Sequence, residues 1–189
     1  MLGPSLRSYL LAAGRGTRAG GPKAWLPCEG ATLLERQLSF LSGLFPPEDT
    51  AVSIQPDWLP RCRSMAPVAA WVAVDPSAPS LASLQALFQA LPPLTWAFIH
   101  HVDMPVWDAG LFSLLAQGLP AEGFDAVVPV NGGKRGHPVA LSCEAGRAVL
   151  RLDPAKDRLD HWLRGARVKT VEVPQACALE NWNQGVPGR

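Results

Sequence analysis

A short apolar run breaks into a glycine-rich loop over residues 9–27, read Tyr-Leu-Leu-Ala-Ala-Gly-Arg-Gly-Thr-Arg-Ala-Gly-Gly-Pro-Lys-Ala-Trp-Leu-Pro. Residues 9–13 read as a buried strand, and Gly14, Gly16, Gly20 and Gly21 follow at once. Glycine lets backbone approach a ligand closely and leaves N–H groups pointing outward. Arg18 and Lys23 add two cations in or just after the loop. Backbone donors and cations together make a phosphate cradle.

Several owners compete for such a cradle. Gly14-Arg15-Gly16-Thr17-Arg18-Ala19 formally fits the dinucleotide fingerprint G-x-G-x-x-A. That motif should open a helix and be followed, about 20 positions on, by an acid at the end of a second strand. Here Gly20-Gly21-Pro22 stops a helix, and Glu35 falls inside a helical pattern. The P-loop pattern needs Gly-Lys-Ser/Thr, which is missing. A plain glycine-rich surface turn is the bland alternative, disfavoured by the placement of Arg18 and Lys23.

The remainder alternates between strand and helix patterns, which is the mark of an α/β layered domain. Strands are expected at 9–13, 51–55, 69–74, 96–102, 126–130, 138–141 and 168–173. Thr32 and Glu35 form a capping box ahead of a face of Leu34, Leu38, Leu41 and Phe45. Ser80 caps a helix with Leu81, Leu84, Leu87, Phe88 and Leu91 on one face, and Asp108 caps another carrying Leu111, Leu114 and Leu115. Helices also fit 144–150 and 157–163, with a short one near Arg61 in the irregular stretch 56–67. With no repeat or low-complexity linker, the 189 residues read as one domain, 1–189.

Net charge of +1 gives no reason to expect nucleic acid or membrane as a partner. The four cysteines are widely spaced without C-x-x-C, which suits a reduced, cytoplasmic location and argues against a zinc site. No apolar run approaches the ~18 residues of a membrane span, and residues 1–7 lack a signal-peptide core.

Leu11-Ala12-Ala13-Gly14-x-Gly16-Thr17-Arg18-x-Gly20-x-Pro22-Lys23 resembles the signature loop of nucleotidyltransferases, which move a nucleoside monophosphate from an NTP onto a phosphate. Within them it is similar to the MobA-like subfamily, which includes molybdenum cofactor guanylyl- and cytidylyltransferases. The resemblance implies a three-layer α/β/α Rossmann-like domain with a mostly parallel sheet, as in the nucleotide-diphospho-sugar transferases. It implies nucleotide contacts at Leu11, Ala12, Ala13, Gly14, Gly16, Thr17 and Lys23, with Arg18 and Lys23 neutralising charge on the α-phosphate.

Ligands in open α/β sheets bind beyond the carboxyl ends of strands. That rule selects the glycine loop, Asp75, Asp103 and the tail Asn181-Trp182-Asn183. Asp103, ending an apolar strand ahead of Pro105, reads on its own as a turn or cap aspartate. Beside the glycine loop it suits magnesium, which takes one or two carboxylates plus phosphate oxygens and water. The resemblance makes Asp103 the family's metal-binding aspartate.

The same resemblance assigns the finer contacts. Arg135-Gly136-His137-Pro138-Val139-Ala140-Leu141 is similar to a segment of the cytidylyltransferase branch. Arg135 then holds an anionic acceptor, and His137 orients the loop. His100 and His101, adjacent in a strand, face opposite ways and form no pair. Asn181 and Asn183 match a tail asparagine pair of the guanylyltransferases and serve as further metal contacts, although the Thr-Pro-acid continuation is absent. Gln55 and Asp75 sit where guanylyltransferases contact the nucleotide, Asp75 as a buried carboxylate reading a guanine edge. Ser83 matches a nucleotide-contacting serine of the cytidylyltransferase branch, although the glycine usual before that segment is replaced by Ala78-Pro79.

The expected activity is therefore a Mg²⁺-dependent transfer from an NTP, GTP ahead of CTP, to a small phosphorylated acceptor, molybdopterin first. A sugar phosphate or other small phosphate is the alternative acceptor. A non-catalytic nucleotide-binding homologue is the alternative of another class. Oligomeric state is not legible.

Overall fold

The computed structural model describes residues 1–3, 5–120 and 122–182, with Arg18 described in its backbone only. The chain opens with β1 (Leu6–Leu11), then a small hairpin of β2 (Pro27–Cys28) and β3 (Ala31–Thr32) leading into α1 (Leu33–Ser42). β4 (Thr50–Ile54), α2 (Leu59–Arg63), β5 (Ala70–Ala73) and α3 (Ser80–Ala90) follow. Next come β6 (Trp96–His101), α4 (Ala109–Gln117), β7 (Ala126–Asn131), β8 (Lys134–Arg135) and β9 (Val139–Ser142). α5 (Cys143–Val149), α6 (Leu159–Gly165) and β10 (Val168–Glu172) complete the regular elements.

The main sheet has the order β10-β7-β9-β6-β1-β4-β5, with β8 alongside β7. β1 pairs in parallel with β4 and β6, β4 with β5, and β7 with β10. β9 runs antiparallel between β6 and β7, and β8 antiparallel to β7. The sheet is thus mixed but mostly parallel. The chain moves outward from β1 through β4 to β5, then returns through α3 to β6 on the other flank of β1. That reversal opens a crevice at the carboxyl ends of β1 and β6, the usual ligand position in such sheets. The register makes the two ends level, with Leu11 opposite His101.

Both faces of the sheet are buried, so the central strands place apolar residues on both faces rather than alternating. Leu10, Val52 and Phe98 face α1 and α4, meeting Leu34, Leu38, Leu41, Leu111 and Phe112. Tyr9, Ala51 and Ile99 face α3 and α5, meeting Leu84, Leu87, Phe88 and Val149. The result is the expected α/β/α layering. Among the described residues no helix is long and apolar enough to cross a membrane.

The helix starts follow their capping chemistry. Glu35 N donates to Thr32 Oγ1 at 3.2 Å while Thr32 N donates to Glu35 Oε2 at 2.7 Å, closing the capping box. Leu111 N donates to Asp108 Oδ1 at 2.9 Å at the head of α4. Ser80, expected to cap α3, is instead its first residue, and Pro79 occupies the cap position without a side-chain bond. The helix expected at 157–163 starts only at Leu159, because the Asp157 carboxylate accepts from Asp153 N at 2.9 Å and holds a turn ahead of it. The strand expected at 138–141 is β9, one residue later.

Candidate active site

The glycine loop is locked by its own backbone. Gly16 has φ 61, in the left-handed region, and a Cβ there would lie 1.9 Å from the Gly21 carbonyl oxygen. Ala19 N and Gly21 N both donate to the Gly16 carbonyl, at 2.8 and 3.2 Å. Beneath the loop, Ala12 N donates to the Ser53 carbonyl at 3.1 Å. Gln55 Nε2 donates to the Gly14 carbonyl at 3.2 Å. Pro22 then starts a short 3₁₀ turn over Lys23–Trp25, which carries Lys23 back across the crevice.

β6 delivers the facing group. After His101 the chain turns, with Met104 N donating to the His101 carbonyl at 3.0 Å, and Asp103 lies on that turn. Lys23 Nζ is 2.6 Å from Asp103 Oδ2, and the two side chains are 15% and 17% exposed. A largely buried lysine–carboxylate pair of this kind is held by Coulomb attraction strengthened by partial exclusion of water. It is also a pair that an incoming polyphosphate and its cation can divide between them.

The crevice is a cleft of about 350 Å³. Leu11, Ala13, Gly14, Gly16, Thr17, Lys23, Asp75, Ser83 and Asp103, all expected site residues, line it. Ala12 is buried behind the loop in the core on the α1 face. Gln55 lies outside the lining and acts on the loop through Gly14. Asp75 corrects its expectation: it is exposed, not buried. Its Oδ1 accepts from Ser77 N at 2.7 Å and from Ser77 Oγ at 2.6 Å, and these bonds hold the carboxyl below its usual range.

A second cleft of about 310 Å³ lies beyond His101, lined among others by Ser80, His101, His137, Arg158 and Leu163. Ser80 and His101 border both clefts. His101 and His137 have ring centroids 6.2 Å apart. Burial pushes the His137 imidazole down to about 4, with the His101 charge acting in the same direction and Asp103 opposing. Burial also lowers His101, against the pull of Asp103. His100 points to the opposite face, stacked on Phe112 at 5.3 Å. Arg135 is exposed on β8 and lines neither cleft.

The segment after β10 reaches the site through its backbone. His137 N donates to the Ala178 carbonyl at 2.8 Å, and Trp182 N donates to the Asp103 carbonyl at 2.8 Å. Asn181, exposed, immediately precedes Trp182 in the chain. Asn183 lies outside the described residues, as does the Arg18 side chain. Among the described residues no three His, Cys, Asp or Glu side chains gather as a metal cage. One carboxylate, an amide oxygen and substrate phosphates are nonetheless the oxygen set that Mg²⁺ or Mn²⁺ accepts.

Three contributors escape sequence reasoning. Ser80 borders both clefts although it reads only as a helix cap. Gly136 allows the Ala178 carbonyl to approach, since a Cβ there would lie 2.3 Å from that oxygen. Gln37, 2% exposed, sits under the Asp103 turn, and its one signal in the sequence is an amide amid the apolar face of α1.

The family model described as MobA-like NTP transferase domain matches residues 9–172. Among solved structures, Rv0371c from Mycobacterium tuberculosis H37Rv superposes with a TM-score of 0.76 at 23% identity, covering 95% of each chain. The manganese complex of Rv0371C gives 0.69 at 22% identity, again over 95% of each chain. Molybdopterin-guanine dinucleotide biosynthesis protein A from Archaeoglobus fulgidus gives 0.67 at 20% identity, over 88% of this chain and 83% of its own. At these identities the likeness is one of fold, a mostly parallel sheet flanked by helices. A search of curated proteins finds no match to the chain.

Proposed function

The chain belongs to the MobA-like NTP transferase family and is a nucleotidyltransferase; from this premise we propose that it transfers GMP from GTP to the phosphate of molybdopterin, releasing pyrophosphate. The observation that carries the proposal is the Lys23–Asp103 pair, 2.6 Å apart at the crevice between β1 and β6 and level with the glycine loop. The triphosphate lies on the N–H groups of residues 13–18. Lys23, with Arg18, leaves its resting partner to neutralise the α-phosphate as it becomes five-coordinate. Asp103, with Asn181 and Asn183, holds Mg²⁺, which supplies charge neutralisation to the phosphates when bound. An oxygen of the acceptor phosphate forms a bond to the α-phosphorus, the bond from that phosphorus to the bridging oxygen breaks, and pyrophosphate leaves with the electron pair. The acceptor phosphate is already ionised near neutral pH, so no strong base is required. Positioning and electrostatics carry the rate, as in phosphoryl transfer generally.

The second cleft beyond His101 supports a seat for the body of the acceptor, with His137 in its wall; Arg135, two residues earlier in the chain, is the assigned contact for the acceptor's anion. The His101 and His137 rings stay neutral under the burial already described, and Arg158 supplies a cation to the same lining. For the base, we assign Asp75 Oδ2 to a guanine edge, because Ser77 engages only Oδ1. Ser83, buried and on the cleft wall, completes the nucleotide contacts. CTP is the second reading, favoured by the Arg135-Gly136-His137-Pro138 segment. A sugar phosphate is the alternative acceptor. A cytoplasmic location, consistent with the scattered cysteines, is part of the same proposal.

Thermal shift with GTP or CTP plus Mg²⁺ tests the base. Stabilisation by GTP that exceeds that by CTP and is weakened in Asp75→Asn supports the guanylyl reading. Stabilisation by CTP alone replaces it with the cytidylyl one.

A further inference from the structure

Gln37 belongs to α1, whose inward face is otherwise apolar: Leu33, Leu34, Leu38 and Leu41 are its buried neighbours. An amide buried to 2% exposure must have its donors and acceptor satisfied. Here every partner belongs to the segment that carries Asp103. Gln37 Nε2 donates to the Met104 carbonyl at 2.9 Å and to the Val102 carbonyl at 3.3 Å, with the His101 carbonyl at 3.5 Å. Its Oε1 accepts from Trp107 Nε1 at 3.1 Å. Carbonyls on one side and an indole N–H on the other fix which end of the amide is nitrogen. Trp107 in turn meets the ring of Trp182 edge-on at 5.7 Å, and Trp182 N holds the Asp103 carbonyl.

We propose that Gln37 is a positioning residue: it braces the turn of residues 101–104 from below, so that the Asp103 carboxylate faces Lys23 and the cleft in one orientation. The brace works on residues either side of Asp103, and the backbone of Trp182 works on Asp103 itself. With both in place the turn has no direction in which to yield, and the carboxylate arrives preorganised for the cation and triphosphate. Without the amide, the Val102 carbonyl loses this donor while the Met104 carbonyl retains Val106 N at 2.9 Å, and the turn relaxes to recover the missing bond from water. This inference rests on the reading of Asp103 as the metal-holding carboxylate.

Gln85 supplies a matched control. It lies on α3, and its Nε2 donates to the carbonyls of Val149 and Leu152, each at 2.9 Å, on the other face of the sheet. Gln37→Met and Gln85→Met each remove an amide whose Nε2 donates to backbone carbonyls, one under Asp103 and one away from it. Two readouts are needed: Mn²⁺ affinity, followed by electron paramagnetic resonance in the presence of a GTP or CTP analogue that cannot be cleaved between its α- and β-phosphates, and the divalent-ion dependence of pyrophosphate release. Removing a group that orients a metal ligand typically weakens metal binding or activity about 10- to 100-fold. Gln37→Met should weaken Mn²⁺ affinity in that range, and Gln85→Met should leave it within about twofold. Equal Mn²⁺ affinities in the two variants overturn the proposal. Gln37→Glu is the second variant should Gln37→Met fail to fold. Its carboxyl can donate to a carbonyl only when protonated, so Mn²⁺ affinity relative to wild type should recover as pH falls, and a pH-independent ratio contradicts the brace. Asp103→Asn run in parallel separates the two ideas: full Mn²⁺ affinity in that variant sinks the metal reading itself, whereas loss there with equal Gln37→Met and Gln85→Met values sinks only the brace.

Discussion

Lys23 Nζ lies 2.6 Å from Asp103 Oδ2, joining the turn that ends the glycine loop to the turn that ends β6, 80 residues later. Either charge removed leaves the other largely buried without this partner, and both are assigned to the same reacting phosphates. Lys23→Met and Asp103→Asn should each lower turnover by about 10²- to 10³-fold, the usual cost of one electrostatic contact in a transition state. The double variant should lose far less than the product of the two, because the pair acts as a unit. Steady-state pyrophosphate release, with a cooperative melt recorded for each variant, checks both statements.

Gly16 and Gly14 separate the loop's shape from its exposure. An alanine at 16 must adopt a left-handed backbone, costing about 1–2 kcal/mol, and its Cβ meets the Gly21 carbonyl at 1.9 Å. The Gly16–Gly21 turn must open. Gly16→Ala should lower the melting temperature by several degrees and weaken NTP binding by at least about tenfold. A Cβ at Gly14 meets nothing within 4 Å, so Gly14→Ala should melt like wild type. Calorimetric melts and nucleotide titrations of the two variants make the comparison.

His100 gives the fold a defined response to acid. Burial drives its folded pKa down to about 3, against about 6.5 for an unfolded histidine. Between those values the unfolded chain binds a proton that the folded chain does not. Stability is therefore full above pH ~6.5 and falls as pH drops toward the folded value, by about 1.4 kcal/mol per pH unit for one such group. At pH 5 the loss from His100 is on the order of 2 kcal/mol. His137, held at about 4, adds to the slope. His100 Nε2 makes no hydrogen bond among the described residues, so His100→Leu removes the titration without breaking a bond there. Urea unfolding at pH 5 and pH 8 should show a smaller difference in the variant than in wild type, and an unchanged difference contradicts the assignment.

Gly136 decides whether the C-terminal segment reaches the site. A Cβ there would stand 2.3 Å from the Ala178 carbonyl oxygen, the acceptor for His137 N. Gly136→Ala should push residues 176–182 away and loosen the hold of Trp182 on Asp103. The half-saturating Mg²⁺ concentration should rise about 10-fold or more, as for other groups that orient a metal ligand. Titration of Mg²⁺ against pyrophosphate release checks this.

What was legible in the sequence was what short-range chemistry determines. Gly14 and Gly16 mark a loop where backbone can approach a ligand, Gly20-Gly21-Pro22 stop the long helix of a dinucleotide motif, and Thr32 with Glu35 announces a helix start. The apolar runs 9–13 and 96–102 locate two strands, which the structure ends at Leu11 and His101, and strand ends locate ligands. Less legible was whatever depends on partners distant in sequence. Nothing in residues 138–141 says that their strand runs antiparallel between β6 and β7. β2, β3 and β8 are two residues each, too short for any periodicity. Asp75 reads either as a buried carboxylate facing a guanine edge, by resemblance, or as a turn residue before Pro76, and the structure shows it exposed and bonded to Ser77 in such a turn. Gln37 meets its partners 64 to 70 residues away, so only the oddity of an amide on an apolar face marks it.

Pyrophosphate release from each of the four NTPs with Mg²⁺, with and without molybdopterin, measured on wild type and Asp103→Asn, tests the central claim most directly. Release from GTP should require molybdopterin and fall at least about 100-fold in Asp103→Asn. Undiminished release in Asp103→Asn, or tight NTP binding with no release under any phosphorylated acceptor, would contradict it.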